Sequence, residues 1–75
     1  MLRFKIRELL AEKCFQEKRR ITIKEVSAET GISKPTLNRI LNQFGYVTGT
    51  DNILLLCRYF DCEVGELISY IRTED

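Results

Sequence analysis

Apolar residues recur along this chain at spacings of three and four, the period of a helix with one buried face. Leu2, Ile6, Leu9 and Leu10 set the first stripe, and it predicts a helix from about Leu2 to Gln16. A polar run, Glu17 to Arg20, follows as a connector. Thr22 with Glu25 three residues on predicts a reciprocal capping box, flanked by Ile21 and Val26 at the spacing of a hydrophobic staple. This second helix should end at Gly31, because glycine enters the left-handed conformation without steric penalty. One residue later Ser33 can cap a third helix, with Pro35 in its first turn and Ile32 and Leu37 repeating the staple.

Asn42 and Gly45 can end that third helix, with Phe44 expected to fold back onto the core. Residues 46–50 lack helical period and predict the longest internal loop. Thr50 should cap a fourth helix running to about Phe60, its inward stripe formed by Ile53, Leu56, Cys57 and Phe60. Val64, Leu67, Ile68 and Ile71 predict a short fifth helix, followed by a polar tail from Arg72 to Asp75. The pattern is that of one all-α domain spanning 1–75, since 75 residues bury only one modest core.

Two short helices joined across Gly31–Ile32 must cross steeply, with Val26, Leu37, Ile40 and Leu41 in the shared core. Residues 23–42 therefore form a helix-turn-helix. Ser27 is small where the helices approach, Gly31 makes the turn, and Val26, Ile32, Leu37 and Ile40 join the pair. With these positions the chain resembles the Cro and phage-repressor family of helix-turn-helix regulators. The stretch TDNILLLCRYFDCEVGELI resembles that family's fourth helix and the start of its fifth. The resemblance implies a five-helix, lambda-repressor-like fold and a DNA-binding regulator of transcription. Ile23 stands where the family often carries Gln, and CFQEKRR lengthens the usual connection between the first two helices.

In such a motif the third helix is the reading head. Arg39 can fork to a guanine edge, Asn38 can pair with adenine, Lys34 reads guanine less rigidly, and Pro35 or the Thr36 methyl can touch a thymine methyl. Phosphate contacts are expected near helix amino ends, from Thr22, Lys24, Ser33, Thr48 and Thr50, with Asn42 at the far end of the reading helix. Lys18, Arg19 and Arg20 are either a flanking phosphate contact or solvated surface. Leu55 and Tyr59, four apart and off the inward stripe, are either part of a wide core or a dimer patch, with Tyr70 as a possible neighbour.

Net charge is only +1, yet it is polarised. Residues 1–44 hold ten Lys/Arg against five Glu, and residues 45–75 hold two Arg against six acids. One end can face phosphate while the other stays solvated. Cys14, Cys57 and Cys62 are an odd set without histidine anywhere, so no metal site is expected and the thiols should be reduced, small hydrophobes. No histidine base, glycine-rich phosphate loop or catalytic carboxylate pair is present, so the chain is not expected to be an enzyme or to need a cofactor. No small-molecule ligand is evident. Without a membrane span or secretion signal it is expected in the cytoplasm. The partners expected are duplex DNA and a second copy of the chain; a helical protein-interaction module, an antitoxin or adapter on the same fold, is the alternative.

Overall fold

The computed structural model describes residues 1–43 and 45–72, so the expectations placed on Phe44 and on Thr73 to Asp75 lie outside the described residues. A strand β1 (Leu2–Phe4) leads into α1 (Ile6–Glu17). Then come α2 (Ile23–Thr30), α3 (Lys34–Asn42), α4 (Thr50–Phe60), the single turn α5 (Val64–Leu67) and a last strand β2 (Ile68–Tyr70).

The core gathers a residue or two from every helix, with Ile21 and Ile32 from the connections: Ile6, Ile21, Val26, Ile32, Leu37, Ile40, Leu56 and Leu67. Each such side chain contributes about 1.5–3 kcal/mol on leaving water. The four residues of the two predicted staples, Ile21, Val26, Ile32 and Leu37, all join this core and are at most 5% exposed. Ile53, Cys57 and Phe60 pack against this cluster around Leu56, the stripe predicted for the fourth helix.

Both ends of the chain depart from the sequence expectation. Leu2–Phe4 is a strand, antiparallel to Ile68–Tyr70, with Leu2 opposite Tyr70, Arg3 opposite Ser69 and Phe4 opposite Ile68. The first helix thus starts at Ile6, and the predicted fifth helix keeps only Val64–Leu67, with Val64 exposed. Leu2 and Phe4 fit a two-residue period as well as Leu2 and Ile6 fit a four-residue one. The pairing partner across almost the whole chain decides between them. The Lys5 amide donates to the Leu67 carbonyl and the Ile71 amide to the Met1 carbonyl, both at 2.8 Å, so the ribbon clamps the two ends together.

Helix ends show two further corrections. Thr50 is the first helical residue and not the cap, a place taken by Gly49 in extended conformation without a side-chain bond. The Thr22–Glu25 box is half made: the Glu25 amide donates to Thr22 Oγ1 at 3.2 Å, but the Glu25 carboxylate takes the Arg19 guanidinium at 2.6 and 2.8 Å. A charged, forked donor outcompetes the neutral Thr22 amide. Helices α1 and α4 end on left-handed residues other than glycine, Lys18 and Asp61.

Candidate nucleic-acid interface

The turn that sets α3 against α2 is built by four residues. Gly31 is left-handed, with φ +81°. Beside it, the buried Thr30 hydroxyl donates to the Val26 carbonyl at 2.7 Å and accepts from the Ile32 amide at 3.2 Å. The Ser27 hydroxyl donates to the Ile32 carbonyl at 2.6 Å. The backbone groups of Ile32 are thereby satisfied in a segment buried at 4% exposure, where an unpaired amide would be costly. Thr30 is a turn residue that the apolar period does not reveal; its signal is a Thr just before the terminal glycine, where the hydroxyl can bond back four residues.

Ser33 then starts α3, accepting from the Thr36 amide at 3.3 Å and donating its own proton to Thr36 Oγ1 at 2.9 Å. Leu37 and Ile40 are buried, which turns Lys34, Pro35, Asn38, Arg39 and Asn42 outward, all exposed; Thr36 is half-buried. Among the described residues, no side-chain hydrogen bond or ion pair engages Lys34, Asn38 or Arg39.

The phosphate candidates fall into different states. Thr22 and Lys24 are exposed at the start of α2, and the Thr22 hydroxyl, accepting in its cap, keeps its proton to donate. Ser33 has its proton committed to Thr36. Thr48 is half-buried and accepts from Asn52 Nδ2 at 2.9 Å, and Thr50 is exposed in the first turn of α4. Asn42 is held from α1: Arg7 Nη2 donates to Asn42 Oδ1, and Arg7 Nε donates to the Leu41 carbonyl at 3.4 Å. No local pattern points to Arg7, because the contact joins residues 35 apart.

Arg19 is occupied, bridging Glu17 and Glu25 on the connector, while Lys18 and Arg20 are exposed. The ion pairs push Arg19 and Lys13 upward and hold the Glu17 and Glu25 carboxyls below the usual range; for Glu25 the chief cause is the hydrogen bond from Arg19, for Glu17 that from Lys13. Leu55 and Tyr59 come together, half-buried, on one wall of an open groove of about 550 Å³ whose rim is charged. None of the outward α3 residues lines it. The Lys13 ammonium stands 4.9 Å from the Tyr59 ring centroid, and the Tyr59 hydroxyl is buried without a hydrogen-bond partner among the described residues.

The three thiols are half-buried and free, and burial pushes the Cys62 thiol up to about 11, which makes it a poor nucleophile. Among the described residues no cluster of three metal-ligating side chains occurs, and no helix is long and apolar enough to cross a membrane. A family model described as the Cro/C1-type HTH DNA-binding domain matches residues 5–73. No curated protein and no solved structure matches the chain.

Proposed function

Because the chain belongs to the Cro/C1-type HTH DNA-binding domain family, we propose that its DNA binding is sequence-specific and that α3, capped by Ser33, reads the major groove. One observation carries the proposal. The turn locked by Thr30, Gly31 and Ser27 fixes a helix whose outward Lys34, Asn38 and Arg39 have no intramolecular partner among the described residues. Such free donors at helical spacing match base edges, with Pro35 and Thr36 placed for apolar contact. Thr22, Lys24, Ser33, Asn42, Thr48 and Thr50 are the phosphate side of the proposal, Ser33 through its backbone because its hydroxyl proton is engaged.

The same proposal makes 1–75 one regulatory module that acts in the cytoplasm, without catalysis and without a small-molecule effector. Two copies would bind together through Leu55 and Tyr59, because one short helix reads only a few base pairs and two-fold dimers place recognition helices about 34 Å apart. Selection of bound sequences from a random duplex pool, followed by titration against salt, tests it. The expected result is a defined, two-fold-related site and a log–log slope near −0.9 for each phosphate neutralised. Binding to a protein partner with little salt dependence, and none to duplex DNA, would instead establish an interaction module.

A further inference from the structure

We infer that Arg7 is a positioning residue for DNA binding, acting through Asn42; the inference rests on the proposal that α3 reads DNA. The third helix ends without a glycine: Gln43 follows it in extended conformation, its amide bonded to the Arg39 carbonyl at 2.8 Å. The last carbonyls of such a helix need donors from elsewhere. Arg7 supplies one from α1, donating through Nε to the Leu41 carbonyl, and through Nη2 it also holds the side-chain oxygen Oδ1 of Asn42. Its positive charge also sits at the negative end of the helix dipole.

The chemistry fixes which way Asn42 faces. A guanidinium carries only donors, so the carboxamide must offer Arg7 its oxygen and keep its NH₂ for something else. The free end of Asn42 is therefore two N–H donors on the exposed side of α3, suited to a phosphate oxygen. Without Arg7 the carboxamide rotates freely and presents its acceptor as readily as its donors.

Affinity for duplex DNA should be measured at a temperature where all variants are folded, across a salt series, for Arg7→Ala, Asn42→Ala and the double variant. The expected result is a loss of about tenfold for each single variant and no further loss for the double, with the salt slope unchanged because the phosphate contact is made by a neutral amide. Arg7→Lys should recover part of the loss, since one ammonium reaches one acceptor at a time. Asn42→Asp should keep the clamp as an ion pair and its melting temperature, yet bind DNA more weakly than Asn42→Ala, because a carboxylate then faces phosphate.

Additive losses with a slope reduced by about 0.9 in Arg7→Ala would make Arg7 a phosphate contact itself and overturn the inference. A lowered melting temperature with unchanged affinity would overturn it too, by reducing Arg7 to a structural role. If the wild type binds no duplex DNA, the proposed function falls instead. Hydrogen exchange then judges the clamp alone: the Gln43 amide should exchange faster in Arg7→Ala, and unchanged exchange removes the clamp.

Discussion

Asn38 and Arg39 stand side by side on the outward face of α3 with no competing partner among the described residues, so a base edge would meet side chains that need break no internal bond. Replacing either with Ala should weaken the preferred site by about 1–3 kcal/mol and relax base choice at one position, read by repeating the pool selection. Lys24→Ala should weaken all sequences alike and reduce the salt slope by about one. Unchanged selectivity in a folded Arg39→Ala protein would mean a different docking of α3. At Gly31 the surrounding space is open: a Cβ there would meet nothing within 4 Å, so substitution is penalised by the backbone alone. Gly31→Val should then cost more than about 1 kcal/mol, whereas Gly31→Asn, tolerant of positive φ, should cost clearly less. Thermal melts of the two variants check this, and equal melting temperatures would place the penalty elsewhere than in φ.

The connector between α1 and α2 works as an element through charge, not apolar packing. Glu17 and Glu25 titrate below their ordinary value of 4.5 in the folded chain, so their stabilising effect is present above pH 4.5 and fades as acid carries them through the lower folded values. Arg19→Gln should accordingly lower the melting temperature at pH 6, and its gap to the wild type should narrow as the pH falls below 4.5; a constant gap as the pH falls would rule out the ion pairs as its cause. This network also shows where sequence patterns stop informing. The capping box was legible as Thr22 and Glu25 three apart, but the claim of Arg19 on Glu25 depends on how the left-handed Lys18 bends the chain. Helices α2 and α3 were legible because caps and apolar period agree within each segment, and α4 because its inward stripe is regular although its cap is Gly49 and not Thr50. The ribbon of β1 and β2 was not, because three-residue strands carry too little period to outweigh Ile6 and Leu67, which serve either assignment. The outward residues of α3 proposed to read DNA were visible because they follow from one helix, whereas Arg7 was hidden because its contact follows from the approach of two.

Across the whole molecule, two surfaces divide the work proposed for it. In that proposal the outward side of α3 takes DNA, and the groove carrying Leu55 and Tyr59 lies between α1, α2 and α4, lined by none of the proposed reading residues. A second copy seated there would not cover the outward α3 residues, which lie outside the groove, and its apolar contacts would cover Leu55 and Tyr59 while Lys13, Arg19, Arg58, Glu17, Glu25 and Glu29 meet solvent or opposite charge at the rim. Leu55→Glu would set like charges against one another across the two-fold axis, so the dimer should dissociate. The monomer should remain folded, because Leu56, fully buried on the same helix, still holds α4 to the core. Operator affinity should then fall steeply while weak, salt-sensitive binding to random duplex survives, since half of the base contacts go but each basic face remains. Sedimentation of both proteins with and without operator decides it. A wild type that stays monomeric at high concentration and on its operator removes the dimer, and a Leu55→Glu protein that unfolds assigns Leu55 to the core that it partly joins.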